Sequence, residues 1–456
     1  MNSVFLILER ISGWHICLFF ICTYSILYPQ AFLIIDEVCY FEQACAYSKG
    51  QIKVDSFFDL SYYYPVGMPF FIAFWVLLFG LKAGFLVGVV SLAGSFILIS
   101  KLLKKINLPD TYALFLFIYP PAIFLSRTMM SDVPSLLIAS LFYWIFFTKT
   151  HSVFNTAILS FIAGCSILFR EPNILLFLPF LIGIGIRGIK KIPLLLAGFS
   201  VGFLLRLLSA KIFFDDFFFI KPNGWDFSLG YLIYNLPYYT FILLVFVPLG
   251  LWTVIAYNSR YKYEIISTVC IFLFFYSVYG YTGSNSGIKS IILGPRFFIP
   301  ILPLFCITGA YFFENLKTQK IKTYFKRILS VSAIMAILSV NLLGHIYNNI
   351  QISFTEEIYK NKNAVYIPLY GDQIPKYTNS LYGSLAFIKP ETLSNEILKE
   401  KQVYAISILS RKTDTNLENS LSQFRRVLKK FGHYDLVLIR TYRNVDGTCI
   451  YLWEVK

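Results

Sequence analysis

Ala31-Phe32-Leu33-Ile34-Ile35-Asp36-Glu37 ends an apolar run on two acids. The run that closes there, residues 12–35, is long enough to cross a bilayer as a helix, which takes roughly 20 residues. Carboxylates beside such a segment are costly unless they are solvated, paired or used. Outward from that point, apolar stretches of similar length recur as far as Tyr347. Strand-like alternation of the barrel type is absent. The pattern predicts an α-helical polytopic membrane protein.

Composition agrees. The 456 residues are 57% hydrophobic, 19% aromatic and only 14% charged, against about 25% charged in soluble domains. The net charge of +15 does not point to nucleic acid. Lysine and arginine gather in the connections 187–191, 258–262 and 317–327, which is the positive-inside signature of cytoplasmic loops, and no basic stripe with stacking aromatics stands out. Of the eight cysteines, Cys17, Cys22, Cys165, Cys270 and Cys306 lie in apolar runs as packing residues, while Cys39 and Cys45 fall outside on this map. The N-terminus carries no convincing cleavage site, so the first span reads as an uncleaved signal anchor. His15, His151, His345 and His433 are scattered, with no Ser-His-Asp order, zinc spacing or P-loop.

Eleven transmembrane helices are expected, near residues 12–35, 83–100, 110–125, 133–147, 153–169, 173–186, 192–210, 236–257, 263–281, 297–313 and 328–345. The apolar piece 65–80 is short for a span and reads as an outer-surface helix of the first external loop. That reading keeps Lys101, Lys104 and Lys105 cytoplasmic, as the charge rule prefers. With the N-terminus inside, an odd number of spans puts the C-terminus outside. From residue 348 the chain turns polar. Strand-prone runs at 364–368, 386–388, 403–409, 435–441 and 449–455 alternate with helical stretches at 391–401 and 415–431. The organisation expected is a transmembrane part, 1–347, and a small external α/β domain, 348–456.

The candidate chemistry sits at the outer ends of the spans. Asp36 and Glu37 suit a general base, or a cap for a helix starting in the loop. Tyr63 and Tyr64, before Pro65, are headgroup-level anchors or a surface for a lipid or sugar. In the segment 126–134, Asp132 caps the next helix, binds an acceptor or orients a base, and Arg127 is a ready partner for it. Arg170-Glu171-Pro172 is a local ion pair and turn, or presents its arginine to an anionic headgroup. Arg296, in Gly294-Pro295-Arg296-Phe297-Phe298, either snorkels or binds phosphate through its planar guanidinium. Lys289 and Lys221 lie on nearby external loops and add positive charge.

In this order and sidedness, the acid pair, the Tyr64-Pro65 lead-in, Pro121-Ala122 followed by Arg127 and Asp132, and Arg296-Phe297-Phe298 with Pro300 and Pro303 resemble the glycosyltransferase C superfamily. Bacterial members related to protein O-mannosyltransferases and to the lipid A aminoarabinose transferase are the nearest in look. The resemblance covers residues 12–345. It implies a plasma-membrane enzyme that transfers a sugar, with inversion, from a polyprenyl or dolichyl phosphate to a glycan, lipid or protein acceptor outside the cytoplasm. Carried over by position, Asp36 is the first-loop acid and candidate base, with Glu37 beside it. Asp132 is the second-motif acid and Arg296 the arginine near the donor phosphate, with Lys289 and Arg170 adding charge there. Tyr63, Tyr64 and Arg127 line donor or acceptor. Some relatives place a divalent metal on the loop acids, which here would be magnesium or manganese on Asp36, Glu37 and Asp132. Two departures stand out: Tyr64-Pro65-Val66 replaces the usual doubled proline, and Asp132-Val133-Pro134 replaces the Glu-Pro of some relatives. A lipid-linked glycan polymerase or ligase would carry one very large external loop. A lipid-linked sugar transporter or flippase would show paired repeats and mid-membrane charges, whereas these acids cluster at span ends.

Overall fold

The computed structural model describes residues 12–51, 64–218, 226–247, 249–280, 294–361, 363–370, 386–387, 393–409, 414–432, 434–443 and 449–456. The helices in chain order are α1 (Gly13–Ile26), α2 (Ile35–Ser48), α3 (Gly67–Phe79), α4 (Leu86–Lys105), α5 (Pro120–Leu125), α6 (Asp132–Thr148), α7 (Val153–Ser166) and α8 (Ile174–Arg187). They continue as α9 (Ile192–Phe214), α10 (Leu232–Phe246), α11 (Gly250–Ala256), α12 (Lys262–Ser277), α13 (Leu302–Glu314) and α14 (Gln319–Ile358). The chain divides into two compact units. One holds residues up to Pro29 and most of the chain from Cys39 to His345. The other holds Gln30–Val38 and Ile346–Lys456.

Five helical stretches among the described residues are long and apolar enough to cross a membrane: Leu81–Lys105, Ile189–Phe214, Leu229–Phe246, Pro295–Glu314 and Gln319–Ile350. The chain is therefore a membrane protein. Pro295–Glu314 is 83% buried over its most apolar stretch, while Ile189–Phe214 is 17% buried and presents Leu196, Val201, Leu204 and Leu208 outward. In water that surface would be an unusually large apolar patch; in a bilayer it meets acyl chains.

Several expected spans are composite. Residues 110–125 form a tight 3-10 segment, Asp110–Leu116, and then α5. Pro120 and Pro121 lack the N–H that a continuing helix needs, and they start a new one instead. The span expected at 236–257 divides into α10 and α11, where Leu249 adopts a φ of 60°. The short piece expected at 65–80 is a 13-residue helix, α3. α14 runs unbroken to Ile358, past the composition change at residue 348. The polar residue there, Asn348, is fully buried and donates its side-chain amide to the Ala31 carbonyl at 2.9 Å.

The second unit carries a sheet of β1 (Val365–Tyr370), β2 (Ala386–Phe387), β3 (Val403–Leu409), β4 (Leu436–Arg443) and β5 (Cys449–Val455), with two helices, α15 (Asn395–Glu400) and α16 (Asp414–Lys429). Strand order is β2-β1-β3-β5-β4. β1 pairs in parallel with β2 and β3, and β5 runs antiparallel to β3 and β4. Alternation along β1 sends Val365 and Ile367 to a core shared with Phe424 and Leu428 of α16, and Tyr366 to the opposite face. There Tyr359, just beyond α14, meets Tyr366 edge-on at 4.8 Å. Both faces of the sheet are thus covered, as its parallel half requires.

Candidate active site

Asp132 stands in the first turn of α6, where the helix dipole favours a negative charge. Its carboxylate is buried and accepts from Nη1 of Arg170, the residue that ends the α7–α8 turn. A charge so placed needs a partner, because desolvation without one costs several kcal/mol per ion. The turn is held firmly. Asn173 donates to Ser135 Oγ at 2.9 Å and to the Ser166 carbonyl at 3.3 Å. Gly67 donates its amide to the Leu168 carbonyl at 2.8 Å. A Cβ at Gly67 would lie 2.6 Å from that carbonyl oxygen, so the backbone approach that seats the Tyr64-Pro65 lead-in requires glycine.

The Arg170 guanidinium lies 5.0 Å from the Phe297 ring centre and 5.9 Å from that of Tyr276. Those two rings stack on each other at 4.4 Å. Arg296, half-buried, lies 5.2 Å from the same Phe297 ring. Two cations therefore lie by one aromatic platform, both within electrostatic reach of Tyr276, and Arg170 is the one paired with Asp132. Tyr119 fixes the platform by donating to the Pro295 carbonyl at 2.6 Å. Next to Asp132 in the chain, Ser131 Oγ accepts from Tyr40 of α2 at 3.1 Å, and Tyr40 packs on the Tyr64 ring at 4.2 Å. Gln43 holds Tyr64 through both backbone groups, at 3.3 and 3.1 Å.

The cluster brings together Asp132, Arg170, Arg296 and Tyr64 from the expected set. Tyr63 and Lys289 lie outside the described residues. Arg127 goes elsewhere. It is fully buried, with Nη1 donating to Asn341 Oδ1 at 3.0 Å and Nη2 to the Leu27 carbonyl at 2.6 Å. The expected Arg127–Asp132 pairing is thus replaced by Arg170–Asp132, because Arg127 points inward to tie α14 to the end of α1. Tyr40 and Tyr276 were not singled out from the sequence. Tyr40 follows Asp36 by one helical turn, which is a usable signal. Tyr276 sits in an aromatic run that reads as ordinary membrane packing.

In the second unit, Asp36 and Glu37 occupy the first turn of α2. Glu37 is fully buried, and its Oε1 accepts from the Leu33 and Ile34 amides, both at 2.9 Å. It thereby satisfies backbone donors left over at a helix start. Asp36 is half-buried. Among the described residues, no three His, Cys, Asp or Glu side chains come together to hold a metal ion.

No family model matches the chain, and no curated protein does. Solved structures do. The crystal structure of ArnT from Cupriavidus metallidurans bound to undecaprenyl phosphate aligns with a TM-score of 0.58 at 13% identity, over 96% of this chain and 98% of that one. The apo structure of the same protein aligns with a TM-score of 0.57 at 12% identity over the same shares. Over 96% of its length the chain has the fold of these structures, in line with the fold that the motif order led one to expect.

Proposed function

We propose that this protein is an inverting glycosyltransferase that moves a sugar from a polyprenyl phosphate to an acceptor on the external side of the plasma membrane. The observation that carries the reading is the pair of guanidiniums, Arg170 and Arg296, on the Phe297 platform beside Asp132. It stands in a chain whose fold is that of a protein crystallised with undecaprenyl phosphate. In the matching orientation the N-terminus is cytoplasmic and the sheet domain external, with the basic connections 187–191 and 317–327 inside.

The chemistry follows from these residue types. An acceptor oxygen attacks the anomeric carbon, and the bond from that carbon to the phosphate oxygen breaks. The phosphate leaves with the electron pair, and the acceptor proton passes to a carboxylate. Phosphate is already a good leaving group, so one base and fixed cations suffice. We assign Asp36 as the base and Arg296 as the principal phosphate contact. Asp132 acts as a positioning residue through Arg170. Tyr64 lines the donor or acceptor, Glu37 holds the start of α2, and Arg127 belongs to the scaffold.

Release of polyprenyl phosphate from a panel of polyprenyl-phosphate sugars tests the reading. Wild type should turn over one of them in the presence of acceptor. Asp36→Asn should lower the rate about 100-fold or more, with the melting temperature unchanged. Equal release by both proteins would move the base elsewhere. No release from any donor would overturn the donor class.

A further inference from the structure

We propose that the opposite end of the bundle carries a binding site for one anionic diacyl phospholipid of the membrane. α6 starts at Asp132, and the loop after its far end reaches His151, whose carbonyl accepts from Lys191 Nζ at 2.7 Å. Lys191 follows α8, so α8 also ends at that far face. There α8 presents an exposed ridge of Leu178, Ile182 and Ile186, spaced four residues apart. Two grooves flank the ridge. The one toward α12 has a volume of about 370 Å³ and runs past Ser267 and Ile271. The one toward α9 has a volume of about 570 Å³ and is lined entirely by apolar side chains and Gly185.

Three properties identify the occupant. The ridge from Leu178 to Ile186 is about 12 Å long at 1.5 Å per residue, close to half of the roughly 30 Å hydrocarbon core, so each groove is one leaflet deep. There are two grooves around a single ridge, which fits two acyl chains joined at one headgroup. Both open at the same charged end. Arg187 and Arg260 line the first, and Lys190 and Lys191 lie in sequence between Ile189 and Ile192, which line the second. Against these four cations stands Glu264, paired with Arg187. The remaining positive charge selects a phosphate diester with no compensating ammonium. Basic pockets between membrane helices recognise anionic headgroups in this way.

The full-length protein, stripped of lipid in detergent, can be incubated with phosphatidylglycerol or with phosphatidylcholine and the retained lipid counted by native mass spectrometry. Wild type should retain one phosphatidylglycerol, several-fold over phosphatidylcholine. Arg260→Gln, at an exposed position, should lower phosphatidylglycerol retention about fivefold, the worth of one basic residue at a headgroup, and leave phosphatidylcholine unchanged. Ser267→Trp fills the first groove without touching charge and should lower retention of both. Equal retention of the two lipids by wild type overturns the proposal, as does phosphatidylglycerol retention that neither substitution moves. Sugar transfer plays no part in the readout, so the outcome is independent of the assigned reaction.

Discussion

Two arginine–carboxylate pairs bracket α8, and their difference shows how the bundle divides its work. Arg170, just before the helix, pairs with Asp132, and the two side chains are 16% and 1% exposed. Arg187, the last residue of α8, pairs with Glu264, at 39% and 8%. Each arginine also lies over an aromatic ring, Phe297 at 5.0 Å in one case and Tyr261 at 5.1 Å in the other. The chemistry is the same and the setting is not. Around Asp132 the rings and the α7–α8 turn exclude water, so a charge can persist only with its partner. At the far end Arg187 keeps access to solvent, and the pair shapes a surface.

The largest effect is expected where water is excluded. Asp132→Asn leaves Arg170 charged and without its counter-ion, which should cost about 3–5 kcal/mol. It should be read as a lowered denaturation midpoint in mixed micelles. Adding Arg170→Gln to that variant should recover part of the loss, because the uncompensated charge goes with it. A double variant no more stable than the single would place the cost in packing rather than charge.

At the second pair, where Glu264 is buried but Arg187 reaches solvent, the same operation should matter less, because the arginine left behind can be hydrated. Glu264→Gln is expected to cost at most about 1 kcal/mol, the range of partly exposed ion pairs. Gly183 gives an independent route to the same pair. A Cβ there would lie 2.5 Å from Glu264 Oε1 and 2.9 Å from Arg187 Nη2, both far ends of flexible side chains. Gly183→Ala should therefore displace the pair and leave the backbone in place. Combined with Glu264→Gln it should cost no more than the larger single change, since both remove one interaction. Full additivity would mean that Gly183 serves helix packing instead.

Much of this architecture is legible in the sequence, and the failures have physical causes. The run 403–409 and the run 449–455 are strands over those same residues, because alternating β-branched and aromatic residues between turn formers leave a short segment few options. The shortness of the piece at 65–80 is legible, because Pro65 before it and Gly80 after it bound a 13-residue helix. Pro120-Pro121 breaks a span that hydropathy alone reads as continuous. In the site, Asp132, Arg170 and Arg296 are legible as charges at span ends, where lipid penalises them. Their pairing is not, because on paper Arg127 is the ready partner for Asp132 and Arg170 reads as a local pair with Glu171. Only the packing of α14, with Asn341 as acceptor, draws Arg127 away. Glu37 reads like Asp36 in the sequence, yet its carboxylate serves two amides of its own chain.

The smallest effect, and the one that most sharply separates the two ends, is a response to pH. His151 lies in the loop after α6, with its ring 4.9 Å from Phe146 and Nε2 3.4 Å from the Tyr261 hydroxyl. Burial and the nearby cations Lys191, Arg260 and Arg187 hold its pKa below the ordinary value of 6.5. The unfolded chain therefore binds a proton more readily than the folded one in the window below 6.5, and stability rises with pH through that window. Below the folded pKa the penalty is complete; above 6.5 it is gone. The melting temperature of wild type should accordingly fall between about pH 8 and about pH 5 by more than that of His151→Gln, which has nothing to protonate there. The Asp132–Arg170 pair carries no imidazole, so the difference between the two proteins should persist unchanged in an Asp132→Asn background. Its disappearance in that background would couple the ends of the bundle, and α8, which joins them, would be the element to test next.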